Sequence, residues 1–313
     1  MYYNFSIMKD ITPTIRRSIN QTQNPRLAEQ DYLECAVLDA LFRDEYISEN
    51  FIFTGGATLS KSYSIGGRIG RDIDLGMINF TDVPHNRTQK QLSNFKKRFK
   101  RFTFGELRNK IAQIINQHGR FQIITDHDWP SPENTERVAS SPALHMLYKS
   151  EFGTGHLCIE VMPRHYRASA ITCRGLLPYA LNKPFGGIPT VSYEQTFWDK
   201  VFALHSNANA SKPHCDKSYS RHYYDVAVLA PYIDLDQTHD LLTDTIEYQM
   251  RHTTKKIDLT AARDAIIIPD DKTLYKLSDD YYAMSGTFIE QPQTSWDTVV
   301  QILQNLNQDL RSL

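Results

Sequence analysis

No run of the sequence approaches eighteen consecutive apolar residues, and the amino terminus, MYYNFSIMKDITPTIRRSIN, has no apolar h-region. Both absences argue against a membrane-spanning helix and an export signal, and they predict a soluble cytoplasmic protein, expected as a monomer. Cysteine is scarce and scattered: Cys35, Cys158, Cys173 and Cys215 form no CxxC pair. That spacing speaks against a disulfide framework and predicts reduced, mostly buried thiols. Net charge is nearly absent too, at −1, so nothing global marks a nucleic-acid binder, although a balanced total can hide a basic patch. There is no internal repeat. His205, His214, Cys215 and His222 lack a tight ligand spacing such as HExxH, which leaves a zinc-dependent hydrolase poorly supported. What remains is an ordinary globular composition, 41 % hydrophobic and 23 % charged over 313 residues, long enough for two domains.

The most informative stretch is Phe51 to Ile78, FIFTGGATLSKSYSIGGRIGRDIDLGMI. Phe51–Phe53 has strand character and stops at Gly55-Gly56; Ala57 to Tyr63 suits a short helix; Gly66, Gly67 and Gly70 form a turn leading into Asp72-Ile73-Asp74-Leu75. Alternation along a strand puts Asp72 and Asp74 on one face, about 7 Å apart, with Ile73 and Leu75 on the other. Glycine lets backbone N–H groups approach a phosphate, and a helix amino end adds favourable partial charge. A GG pair or a DxD is weak evidence alone. Together, with Arg68 before the aspartates and apolar residues around them, they suit a magnesium–triphosphate complex.

Apolar spacing over Leu27–Arg43 predicts an amphipathic helix beneath Phe51–Phe53. Helices are expected at about 88–99 and 104–118, a strand at Phe121–Thr125, and a hairpin of Ala143–Lys149 with His156–Met162 around Gly153–Gly155. Met162 to Gly187 reads as irregular. From Val191 helices dominate, at roughly 194–206, 218–230, 236–251, 254–267 and 294–310. The composition shift predicts an α+β catalytic half, residues 1–189, and a helical half, residues 190–313.

The segment after the aspartates is strongly basic. Lys96, Lys97, Arg98, Lys100 and Arg101 are either a solvated helix surface or a contact surface for an RNA backbone. The interleaved Phe95, Phe99, Phe102 and Phe104 read as core. Glu160 lies inside an apolar strand, where an ionised group is costly unless paired or metal-bound. It reads as a third acidic ligand or as the base that activates the acceptor; a salt bridge to Arg164 or Arg167 is the plainer alternative. In the helical half, Lys200 could reach nucleotide phosphates as a mobile charge. Asp225 lies one helical turn after Arg221, and an interhelical ion pair is the structural alternative there.

The run GGATLSK…RIGRDIDL, followed by WDKVFAL and RHYYDVAVL, resembles the AbiEii/AbiGii-type nucleotidyltransferase toxins of abortive-infection and toxin–antitoxin systems. Gly55, Gly56, Thr58, Leu59, Lys61, Arg68, Asp72 and Asp74 occupy the positions of that family's first motif, approximately GGTxLxK…RxSxDIDL. Lys200 matches the lysine helix, and Arg221 and Asp225 match an RDxYDL-like helix. Two positions depart: Gly70 stands where a serine is usual, and His222-Tyr223 where an acidic residue is common. The resemblance implies a DNA polymerase β-like core with a helical domain, and transfer from a nucleoside triphosphate to RNA, in several members the tRNA 3′ end. It also implies Mg²⁺ or Mn²⁺ on Asp72 and Asp74, and Gly55, Gly56, Thr58, Lys61, Arg68 and Arg221 as nucleotide-binding residues. Lys200, Asp225 and Glu160 would complete the catalytic set, with a cognate antitoxin as partner. The alternatives are transfer to a protein hydroxyl, as in AMPylating relatives of the fold, and a non-catalytic nucleotide- or RNA-binding module.

Overall fold

Among the described residues, seven strands, β1 (Phe51–Thr54), β2 (Asp72–Met77), β3 (Phe121–Ile124), β4 (Ala143–Ser150), β5 (Gly153–Pro163), β6 (Ile171–Gly175) and β7 (Gly187–Val191), form one mixed sheet in the order β3-β4-β5-β2-β1-β7-β6. The computed structural model describes residues 11–80, 87–116, 120–124, 142–216, 218–252, 262–288 and 294–313. The chain divides into two units. The first is Met1–Ser64, Ile69–His165 and Ile171–Thr190; the second is Ile65–Arg68, Tyr166–Ala170 and Val191–Leu313. With helices flanking the sheet, the protein is of the α+β class.

The sheet has two chemically different faces. β2 runs antiparallel to β1 and parallel to β5. In that register Phe53 sits beside Leu75 and Leu75 beside Val161, while Ile73 sits beside Ile159 and Ile159 beside Leu144. All are buried, and they form the apolar face. The alternating residues belong to the other face, which carries Thr54, Asp72, Asp74, Cys158 and Glu160.

Helices α1 (Pro13–Asn20), α2 (Pro25–Phe42), α3 (Glu45–Asn50) and α4 (Ala57–Tyr63) precede β2. Thr12, Asn24 and Asp44 cap the first three, each accepting a backbone N–H two or three residues inside the helix. The polar amino-terminal segment thus contains a capped helix. α2 packs on β5 and is buried nearly all round rather than on one stripe. Its carboxylates are enclosed because each meets a cation or a backbone amide. Glu29 pairs with Arg16, Asp31 and Glu34 with Lys61, and Asp39 with Arg43 and the Gly186 N–H.

The two basic helices expected after β2 are one run. α5 (Gln89–Phe102), opened by a Thr88/Gln91 capping box, continues through a π-helical turn (Thr103–Leu107) into α6 (Arg108–Ile115). The buried residues explain the π turn: Phe95, Phe99, Thr103, Leu107, Ile111 and Ile115 recur every four positions. In a 3.6-residue helix such a stripe drifts by about 40° per step. A wider i→i+5 turn absorbs the drift and keeps the stripe facing inward.

The hairpin of β4 and β5 closes at Ser150 and Gly153. The region from Met162 to Gly187, expected to be irregular, contains β6, and β7 follows directly. Of the four thiols, Cys35 and Cys158 are buried, Cys215 is half-buried and Cys173 is exposed.

The second unit is helical: α7 (Tyr193–Ala208), α8 (Arg221–Leu229), α9 (Leu235–His252), α10 (Asp271–Ala283) and α11 (Trp296–Ser312). α7 packs on α8 and α9, and α8 on α11. Trp198, Tyr223, Val226 and Leu303 are among the core residues. The helix expected at 254–267 falls mostly outside the described residues; its described part begins with a 3-10 turn at Ala262–Asp264. α10 has no counterpart in the sequence reading. Among the described residues no helix is long and apolar enough to cross a membrane.

Candidate active site

The acids of the first unit lie on the polar sheet face. β2 and β5 run in parallel register with Asp72 opposite Cys158 and Asp74 opposite Glu160. Neighbouring strands are about 4.8 Å apart, so Asp74 and Glu160 are side by side, with Asp72 two positions along. On the other flank Thr54 of β1 pairs with Asp74. All three acids are half-buried. Arg167, one of the alternative partners considered for Glu160, forks onto Asp240 and Asp244 within the second unit.

The Gly55 turn is fitted to this row. Gly55 has φ +78°, and a Cβ built there would fall 1.8 Å from Asp74 Oδ2. Only glycine combines that left-handed backbone with so close an approach. Gly70, where the resembling family places a serine, is constrained by packing alone. A Cβ on it would come within 2.6 Å of Ala57 Cβ and 2.7 Å of Ala57 Cα. The missing hydroxyl is therefore exchanged for direct backbone packing on the first turn of α4. Thr58 is buried, and its hydroxyl donates to the Gly55 carbonyl at 2.8 Å.

Lys61, a nucleotide-binding residue by resemblance, lies in the core at 1 % exposure. Its Nζ is 2.5 Å from Asp31 Oδ1 and donates to it. Glu34 Oε2 is 2.8 Å from the same ammonium. Burial pushes the Glu34 carboxyl up to about 7 despite the lysine beside it. Burial alone would lower the Lys61 ammonium, but Asp31 and Glu34 outweigh it and hold lysine above its usual range.

The second unit holds a cluster of opposite sign. Asp225 accepts from Arg68 Nε at 3.1 Å and Nη2 at 2.7 Å, and from Lys200 Nζ at 2.7 Å. Two cations share one buried carboxylate. Burial works to raise Asp225, but the charges of Arg68 and Lys200 prevail and hold it well below the usual carboxylate range. Lys200 is lowered, first by burial and also by Arg68 and Arg221, with Asp225 opposing. Arg68 comes from the short segment Ile65–Arg68, whose Gly67 N–H donates to the Tyr224 hydroxyl at 3.1 Å. The first half of the expected glycine turn is thus part of the helical unit. Arg221 donates to the Ser218 carbonyl. His222 is held neutral by burial and by Lys200 and Arg221.

On α5, Lys96, Lys97, Arg98, Lys100 and Arg101 are all exposed, while Leu92, Phe95 and Phe99 are buried. Phe80 stacks edgewise on Phe95 and Phe99 and tilts against Phe102. His205 accepts the Ile266 N–H at 3.1 Å, which is a structural role. Among the described residues no group of three or more histidine, cysteine or acidic side chains is arranged to cage a metal ion. The oxygen donors on β2 and β5 nonetheless suit a hard cation that keeps waters and takes substrate phosphates as further ligands.

The family comparison places the chain in the nucleotidyltransferase class. Residues 37–302 match the family model of the nucleotidyl transferase AbiEii toxins of type IV toxin–antitoxin systems, and the chain belongs to that family. Membership implies an antitoxin partner. No curated protein matches the sequence. Among solved structures, the nucleotidyltransferase toxin MenT4 of Mycobacterium tuberculosis H37Rv is similar at 13 % identity and TM-score 0.47, over 95 % of this chain and 98 % of that one. An antigenic nucleotidyltransferase-like protein from Paracoccidioides brasiliensis is similar at 12 % identity and TM-score 0.38, over 79 % and 97 %. At these scores the assignment rests on the family match.

Proposed function

We propose that the protein transfers a nucleotide from a nucleoside triphosphate to RNA, with a tRNA 3′ end as the acceptor and arrest of translation as the consequence. The supporting observation is the register that puts Asp74 beside Glu160, with Asp72 on the same face and Gly55 against the Asp74 carboxylate. Asp72 and Asp74 are the residues that would hold Mg²⁺. When bound, it would neutralise triphosphate charge and favour in-line attack at the α-phosphorus with pyrophosphate leaving. Glu160 would serve as a third oxygen ligand or take the proton of the attacking hydroxyl. The N–H groups of the Gly55-Gly56 turn are suited to phosphate oxygens. Arg68 and Lys200, which outnumber the single Asp225, retain positive charge for phosphates.

RNA is favoured over a protein acceptor by α5. Its cations face outward and its buried phenylalanines turn inward, a surface for phosphates rather than for stacked bases. The test is incubation with each α-labelled nucleoside triphosphate and total tRNA, followed by sequencing of the product ends. Label should enter tRNA, disappear with a chelator and return with Mg²⁺. Asp72→Asn and Asp74→Asn should each abolish it. Label entering protein instead would move the acceptor class, and label transfer undiminished in both variants would remove the acid row from the mechanism.

A further inference from the structure

The acid row leaves Lys61 without a role. An ammonium enclosed in protein costs desolvation that packed hydrophobic side chains of similar volume would avoid, so its presence calls for another explanation than stability. The contacts of α4 supply one. At its amino end Gly70 packs on Ala57, and Thr58 donates to the Gly55 carbonyl. At its carboxyl end Lys61 Nζ reaches Asp31 and Glu34 of α2, while the Lys61 carbonyl accepts the Leu177 N–H at 2.7 Å. Asp31 in turn accepts the Tyr179 N–H at 2.7 Å through its other oxygen. Three parts of the first unit, α2, α4 and Leu177–Tyr179, therefore meet at one buried ionic node. Gly55, two residues before the start of α4, lies against the Asp74 carboxylate.

We infer that Lys61 is a positioning residue: by fixing α4 to α2 it sets where Gly55 seats the Asp74 carboxylate, without touching nucleotide. The kinetic consequence rests on the nucleotidyl-transfer reading; the mechanical one does not. A short-range directional node holds one geometry where a greasy contact would slide, and a displacement near 1 Å at a reacting centre lowers rate about a hundredfold.

The test compares the parent protein, Lys61→Met and the triple variant Asp31→Asn/Glu34→Gln/Lys61→Met. The readouts are kcat and KM for the nucleoside triphosphate, and hydrogen exchange at Gly55–Leu59. Lys61→Met should lower kcat about 10- to 100-fold while KM stays within about twofold, with faster exchange at Gly55–Leu59. The triple variant removes the stranded charge but also the node, and should stay about as slow as Lys61→Met. A tenfold rise in KM at constant kcat would make Lys61 a nucleotide contact instead. Unchanged kcat and exchange, or a folded triple variant with parental kcat, would equally overturn the inference. If Lys61→Met does not fold, Asp31→Asn replaces it, since it weakens the node and keeps an acceptor for Tyr179; the same fall in kcat at constant KM is required. If the parent transfers no nucleotide, the transfer reading fails, and the exchange comparison alone decides whether Lys61 fixes the turn.

Discussion

The backbone of Gly55 lies against the carboxylate of Asp74 so closely that a Cβ would fall 1.8 Å from Oδ2. Gly55→Ala meets two obstacles, a left-handed φ that costs an L-residue about 1–2 kcal/mol and a direct collision with Asp74. The expected result is a lower melting temperature and transfer reduced by about two orders of magnitude or more, because relief moves either the turn or the acid. Calorimetry and a labelled-nucleotide assay on the same preparation check both. Normal activity at a reduced melting temperature would show that the exact seat of Asp74 is unimportant.

Glu34 ties stability to pH. Its folded carboxyl titrates at about 7 against an ordinary 4.5. The stabilisation from its neutral form is fully present below pH 4.5 and is lost as pH rises through 7. At about 1.4 kcal/mol per pH unit, the loss is on the order of 3 kcal/mol. Melting curves between pH 5 and 8 should show part of this decline, and Glu34→Gln should flatten it. An identical slope in the variant would place the titration elsewhere.

Asp225 behaves in the opposite sense. Its folded carboxyl is depressed by Arg68 and Lys200, so its contribution is present at neutral pH and is lost as pH falls below the ordinary carboxylate range. Asp225→Asn leaves two buried cations without their anion and should destabilise the protein by about 3–5 kcal/mol. Urea unfolding at pH 7 measures it. A change below about 1 kcal/mol would mean that water or another anion already serves the two cations.

Substitutions on α5 should separate acceptor binding from everything else. Lys96, Lys97, Arg98, Lys100 and Arg101 are exposed, so replacing Lys97 and Arg101 with glutamine should leave melting unchanged. Affinity for tRNA should fall, and the slope of log affinity against log salt should become shallower by about 0.7–0.9 per lost phosphate contact. Nucleotide KM should hold. Salt titration by filter binding decides, and an unaltered slope would return α5 to the status of a solvated surface.

How far the sequence could be read follows from the range of each interaction. β1, α4, β2 and the β4–β5 hairpin depend on local alternation, glycine and apolar spacing, and they are legible within about three residues. β6 and β7 are short, and Pro189 within β7 masks its strand character. α10 left a signal that passed unread: Asp270 as cap, and Thr273, Leu277 and Tyr281 buried at four-residue steps. Glu160 could be suspected as an acid among apolar neighbours, but its pairing with Asp74 belongs to a parallel register that no local pattern encodes. The same holds for Lys61, whose carboxylates lie on α2, and for Arg68, whose partner is Asp225. A motif lysine or arginine looks the same in sequence whether it faces a phosphate or closes a buried charge cluster.

The parallel pairing of β2 with β5 also bears on how the protein is made. Residues 51–78 emerge early from the ribosome, carrying the glycine turn and both aspartates. Glu160 joins them only after the β4–β5 hairpin has been synthesised and added at the far edge of β2. A product of interrupted translation that stops before Gly153 possesses the recognisable motif and lacks the third acid. The complete acid row is thus a property of the longer chain alone.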